Sequence, residues 1–459
     1  MRLVLILLCT AMVCRPGGAQ VPSEPGGVNG DSPTMFRHLD SSRYLISGQA
    51  NIIFQAHAPF HSPYAGTNSL LGRGEYKTSL IGTVFTGFEL NPHPKFATDV
   101  ILDVESAGGR GVSEALGLAG FTNLDVVRNP TLGSTPYLAR YEVHQVVGLS
   151  DKMVETGRNA FSLQSSLPET RLEFWVGRMS LPDLLDVNSI GTDSHLQFLN
   201  WSVDNNGAWD YAANTRGYTD AAVVAFTARD FTARYALAAM PTVANGIDLS
   251  YDLKKDSGQN VELELRRGLL PGRKGTVRLL GFVNHANMGN YRVQNQLFLK
   301  GGAAAPDITA HPQQTTKKYG LGLNFEQEVS TNGRVFGRVG WNDGATESYA
   351  YTEIDQTFEV GADYSMKRFG RAEDKFGVAF VTNAVKRDHQ WYLAHGGLGF
   401  LLGDGKLNYA REDVVEAYYN YHLWKGVYYA LDEQFVAHPG YNGDRGPVMV
   451  ESVRMHVDF

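Results

Sequence analysis

Cysteine is nearly missing from this sequence of 459 residues: there are two, Cys9 and Cys14, and both lie in the opening segment. The rest of the chain has no means of forming a disulfide, so if it is exported another device must hold it together. Long hydrophobic runs are missing as well. Beyond the N-terminus nothing approaches the roughly 20 apolar residues of a membrane helix. Charge is not strongly biased, with 41 Lys and Arg against 48 Asp and Glu and a formal charge of −7. Such mild acidity argues against nucleic acid as a partner. A fixed-period repeat, the mark of a propeller or solenoid, is absent. So are G-x-S-x-G, H-E-x-x-H and the phosphate-binding P-loop. No motif supports an enzyme, and neither a cofactor nor a metal is expected.

Two weak signals are set aside on physical grounds. His57 and His61 in HAPFH are spaced i,i+4, but Pro59 between them opposes a helix, so they are expected to be solvated loop residues. The run from Asp186, DVNSIGTDSHLQ, has Asp186, Asn188 and Gly191 in the places of a calcium loop. Ile190 falls where an oxygen ligand is needed and Gln197 where Glu belongs, so it is treated as a plain loop.

The N-terminus carries a basic Arg2, an apolar run from Leu3 to Cys14 and the small residues Gly17, Gly18 and Ala19. These are the three regions of a secretory signal peptide, expected to span 1–19. Residues 20–42, rich in Pro, Gly and Ser, are expected to form a flexible lead segment.

From residue 43 to 459 the chain is a series of segments alternating at period two. Val100, Leu102 and Val104 interleave with Asp99, Asp103 and Glu105; Val261, Leu263 and Leu265 interleave with Glu262, Glu264 and Arg266. Alternation at 180° per residue means strands with one apolar and one polar face. Strands are expected at 43–57, 76–90, 96–106, 138–149, 170–178, 219–228, 231–240, 260–268, 275–284, 318–329, 333–341, 355–366, 374–382, 413–422, 426–436 and 447–459. Linkers alternate short and long, with one misfit: 150–169 is long where a short turn is due. About sixteen strands, an even number, with short turns at one end and long loops at the other, fit an all-β, transmembrane, antiparallel up-and-down barrel. Aromatics cluster near strand ends, as in the interfacial girdles of such barrels, and outer-membrane lipid would surround it. Closure pairs every strand edge and can replace covalent staples.

The loop 107–137 carries Leu116, Leu118, Phe121, Leu124, Val126 and Val127, more apolar residues than a solvated loop needs. Either it caps the outside or it folds into the barrel and narrows it, with Asp125 and Arg128 in the constriction. Period-two register points Asp103, Glu105, Arg140, Glu142, Arg171, Glu173 and Trp175 inward. Charges of both signs beside aromatics suit neutral polyols, because charged groups hydrogen-bond strongly to hydroxyls and a ring face stacks on a sugar. The same pattern is also that of a lumen wall stabilised by its own ion pairs.

The last ten residues, VESVRMHVDF, place Val453, Met455, Val457 and Phe459 on one face and Ser452, Arg454, His456 and Asp458 on the other. This strand is expected to close the ring against the first, with the apolar set in lipid and Glu451 near the outer headgroups.

Segments 319–330 (YGLGLNFEQEVS), 335–355, 395–409 and 438–459 resemble the carbohydrate-selective porin family, OprB type; 176–186 (VGRMSLPDLLD) and 198–202 (FLNWS) do so more loosely. The resemblance implies a sixteen-stranded Gram-negative outer-membrane barrel passing small carbohydrates by diffusion, in many cases as a homotrimer. It also makes Phe459 resemble the terminal aromatic read by the barrel assembly machinery. The alternatives are a general or organic-anion diffusion porin of the same fold, or an outer-membrane structural barrel or hydrolase.

Overall fold

Sixteen antiparallel strands, each paired with its neighbours in sequence, close into a barrel in the computed structural model, which describes residues 34–36, 38, 42–126 and 132–459. The expected signal peptide, most of the lead segment and Arg128 lie outside the described residues. In chain order the barrel strands are β1 (Tyr44–His57), β2 (Glu75–Asn91), β3 (Thr98–Gly109), β4 (Tyr137–Gly148), β5 (Arg171–Met179), β6 (Thr219–Thr227), β7 (Phe231–Ala239) and β8 (Ser257–Leu265). The second half is β9 (Gly275–Ala286), β10 (Thr316–Glu328), β11 (Gly333–Asn342), β12 (Gln356–Ser365), β13 (Lys375–Ala384), β14 (Glu412–Trp424), β15 (Val427–Ala437) and β16 (Val448–Asp458). Every bound falls within three residues of its expected place.

The alternation sets the two faces. On β3, Leu102 and Val104 are 44% and 45% exposed on the outside while Asp103 between them is fully buried inside. Ile52, Phe54, Val84, Val261, Leu321, Val360 and Leu431 continue the outer apolar surface around the barrel. Aromatics gather at its margins: Phe54 stacks on Tyr76 at 5.9 Å and Tyr319 meets Trp341 at 5.9 Å near the long-loop end. No helix among the described residues is long and apolar enough to cross a membrane; the strands with their apolar outer face are built to do so.

The seam joins β1 to β16, from Gln49 opposite Asp458 to His57 opposite Val450. Phe459 extends it: its N–H donates to the Gly48 carbonyl at 2.9 Å and its carbonyl accepts from the Gly48 N–H at 2.7 Å. The Phe459 ring lies over Gly48, where a Cβ would come within 2.5 Å of it. Glycine at that place is what lets the ring lie flat on the outer face.

The interior differs most from expectation. The loop between β5 and β6, residues 180–218, folds into the barrel and fills much of it. Leu181, Leu185, Ile190, Phe198, Trp201, Val203, Trp209 and Tyr211 are buried there against inward residues such as Val223, Ala236, Leu280, Phe282 and Phe336. The hydrophobic core therefore lies inside the barrel. The loop between β3 and β4 also folds inward, burying Val112, Leu118, Phe121 and Val126. His57 is a further correction: it is the last residue of β1, 5% exposed, with its ring 3.4 Å from Glu75, while His61 is exposed. The misfit linker 150–169 pairs two short strands, Met153–Glu155 and Ser166–Pro168, and its tip turns up into the short-turn mouth.

Candidate functional site

The passage begins with the β3–β4 wall. Asp103 on β3 lies opposite Arg140 on β4, and the register then shifts so that Val104 meets Leu138. This irregularity at Ala139 puts two consecutive residues, Ala139 and Arg140, on the inner face and turns Tyr137 inward as well. Strict alternation would have sent Tyr137 outward; bulges commonly re-aim side chains in this way. The Tyr137 hydroxyl donates to Glu105, which also accepts from the Tyr218 hydroxyl and from Thr83, both at 3.0 Å. The Arg216 guanidinium covers the Tyr137 ring at 3.7 Å. Below this group Arg140 bridges Asp103 of its own wall and Asp183 of the 180–218 loop.

Inward charges hold the two loops in place. Buried backbone N–H and C=O groups need partners, and here the barrel wall supplies charged ones. The Glu412 carboxylate accepts from the Ala119, Gly120 and Gly440 N–H groups, and that of Glu416 from Leu199 and Asn200. Arg338 donates to the carbonyls of Val203 at 2.7 Å and Asp204 at 3.1 Å, and its Nε lies 3.0 Å from Asp186. Arg454 donates to the Ser194 and Gln197 carbonyls. Asp186 and Asn188, the first positions of the calcium-like run, are already engaged: Asp186 by Arg338 of the wall and the loop's own Asn206 N–H, Asn188 by the Ile190 and Gly191 N–H groups of the same loop. Among the described residues no group of three or more His, Cys, Asp or Glu is arranged to hold a metal ion.

Between the wall and the loops lies a cavity of about 340 Å³. Glu105, Tyr137 and Arg140 line one side, Asp183, Tyr211, Arg216 and Tyr218 the other, and Leu124 and Asp125 come from the β3–β4 loop. It reaches towards the long loops at Asn245 and Ala350 and towards the short-turn end at Phe161, His456 and Asp458. Its charged lining comprises the carboxylates Glu105, Asp125, Asp183, Asp193, Asp204 and Asp458, the guanidiniums of Arg140 and Arg216, and the imidazoles of His195 and His456. Asp125 accepts from Asn51 at 2.5 Å and lies 3.3 Å from His195, which stacks on His456.

Of the residues expected at the constriction, Glu105, Asp125 and Arg140 come together on this cavity, with Asp103 behind them as an ion partner of Arg140. Arg128 lies outside the described residues, and Glu142, Arg171, Glu173 and Trp175 occupy the short-turn half of the wall. Arg171 pairs with Glu173 at 2.8 Å, Glu173 lies 3.5 Å from His144, and Glu142 is 4.0 Å from Arg140. Trp175 corrects the expectation of a free stacking face: its ring is 7% exposed and lies parallel to His144 at 4.7 Å. The reading of the sequence missed Asp183, Tyr137, Arg216 and Tyr218. Asp183 and Tyr218 belong to a linker with many apolar residues, the same signal that marked 107–137; Tyr137 depends on the bulge, which leaves no trace in the alternation.

A closed barrel narrowed by its own loops around a polar passage is the architecture of a porin, a class of channels rather than enzymes. Residues 108–459 match the carbohydrate-selective porin family, OprB. The chain belongs to that family. Its fold is similar to a Pseudomonas putida OprB structure determined at high pH, with a TM-score of 0.67 at 16% identity over 91% of this chain and 94% of that one. It is also similar to the outer-membrane channel DcaP of Acinetobacter baumannii, with a TM-score of 0.50 at 8% identity over 91% and 97% of the two chains. The search of curated proteins returned no match.

Proposed function

We propose that this porin lets small, uncharged carbohydrates diffuse passively across the outer membrane, with Glu105, Arg140, Asp183, Tyr137 and Tyr218 forming the selective contact. The observation that carries this reading is the cavity's lining: hydrogen-bonding charges of both signs beside tyrosines, in a volume at the lower end of small-molecule sites. Charged donors and acceptors hold hydroxyls more strongly than neutral ones do. The alternative of an organic-anion porin fits less well. Six carboxylates share the cavity with two arginines and two histidines, so the lining has no excess of cationic groups to draw anions in. Asp103 and Asp125 support the site as partners of Arg140 and His195; Arg128 is kept as a candidate for the same constriction. Glu142, Arg171, Glu173 and Trp175 act as wall residues towards the exit. The signal peptide 1–19 would direct export, and Phe459, set at the closing seam, would be the residue that the assembly machinery engages.

The test is reconstitution in planar bilayers and liposomes. Neutral sugars should block the single-channel current and enter liposomes faster than amino acids of equal size. Equal entry of the two would overturn sugar preference, and a preference for organic anions would favour the alternative.

A further inference from the structure

The linker 150–169 breaks the alternation of short and long connections, and the porin reading leaves it unexplained. It connects β4 to β5 at the short-turn end, where its neighbours are tight. Its length is used to reach back into the barrel. The tip is a turn closed by the Asn159 side chain, which accepts from the Phe161 N–H at 2.8 Å and the Ser162 N–H at 2.9 Å. Leu163 is buried between Leu45 of β1 and Ile101 of β3, and its N–H donates to Asp99 at 3.1 Å. Gln164 donates to Asp99 at 2.9 Å and to Glu89 at 2.7 Å. The wall is shaped for this tip: Gly87 faces Leu163, and a Cβ there would come within 2.5 Å of it. Phe161, at the apex, lines the cavity with its ring 4.5 Å from the Arg140 guanidinium.

We infer that this re-entrant turn is a second constriction, entered from the periplasmic mouth, and that Phe161 sets the size limit of the exit and holds Arg140 against the wall. The tip is fixed before it by Arg158, which donates to the Tyr44 carbonyl of β1 at 3.0 Å, and after it by Leu163 and Gln164 against β1, β2 and β3, unlike a solvated turn. A cation over a ring face is attracted to it, so Phe161 removes one direction in which Arg140 could swing into the passage. The long loops thus narrow the passage from one end and this turn from the other. The inference rests on the porin reading for its direction of flow, and not on sugar preference.

The experiment uses the full-length protein in planar bilayers, with Phe161→Ala, Phe161→Trp and uncharged polyethylene glycols of graded size added to one side at a time. In Phe161→Ala conductance should rise, and the largest polymer that enters from the periplasmic side should increase, while the cut-off from the other side stays as in the wild type. Phe161→Trp should move both quantities the opposite way. Unchanged conductance and cut-off in both variants, with normal heat-modifiable migration on gels showing an intact barrel, would overturn the proposal. Absence of sugar block in the wild type, with the polymer cut-off altered in the variants, would instead count against the sugar reading alone.

Discussion

Arg140 sits between two carboxylates, Asp103 and Asp183, with Glu142 nearby and the Phe161 ring over its face. Removing one partner of a buried ion pair costs about 3–5 kcal/mol, because a charge is left without compensation. Arg140→Ala should therefore lower the unfolding temperature and shift ion preference towards cations, read as the zero-current potential under a salt gradient; an unmoved potential would place Arg140 off the ion path. Glu105 poses a finer question, since it already accepts three hydroxyl bonds. A hydrogen bond to a charged group is worth about 1 kcal/mol more than one to a neutral group. In Glu105→Gln the shape is kept and the charge removed, so sugar block should weaken several-fold with conductance little changed. Equal block would exclude Glu105 from sugar contact. That Glu105 and Arg140 face inward was legible from period two. Tyr137 was not, because a bulge shifts the register by one residue and the cause lies in strand pairing.

The 180–218 loop is held by wall residues far from it in sequence, and Arg338 is the densest anchor, meeting Asp186, Thr192, Val203 and Asp204. Glu359 on β12 is its second ion partner, at 3.3 Å. Arg338→Ala should release the loop, leave Asp186 and Glu359 without their cationic partner, and give a larger, noisier conductance while strand content by circular dichroism stays constant. A quiet channel of unchanged conductance would show that the loop's apolar packing suffices to hold it. The strands themselves were readable to within three residues. The loops were less legible. Apolar content marked 107–137 as odd, and 180–218 carries the same mark more strongly, with Leu185, Phe198, Trp201 and Trp209 all buried. Hydrophobicity says that a loop must hide; it does not say where, because the receiving surface is made from β6, β7, β9 and β11.

Across the molecule, the ring of strands is closed by β16 and finished by Phe459 on Gly48. Deleting Phe459 removes two backbone hydrogen bonds and the ring's contact, a small part of sixteen paired strands. Folding in detergent should survive, measured by heat-modifiable gel migration, while yield in the outer membrane of living cells should fall. Equal loss in both settings would make Phe459 a structural residue only. On the lipid side, Leu102→Arg should destabilise the inserted barrel by about 2–4 kcal/mol, the cost of a basic residue near the bilayer midplane. The same change at an inward position would meet no lipid.

Alternation is a local property of the chain, and so the strand count, the two faces and the barrel class could be read directly from the order of residues. The inward charges were legible too, but not their division of labour. Glu105 and Arg140 line the passage, whereas Arg338, Glu412 and Glu416 carry loop backbone, and nothing in their spacing separates the two groups. That division arose on folding, when Arg338 met the carbonyl of Val203, 135 residues away in the chain. Burial forces every backbone polar group to find a partner, and which partner is near depends on how the whole ring closes.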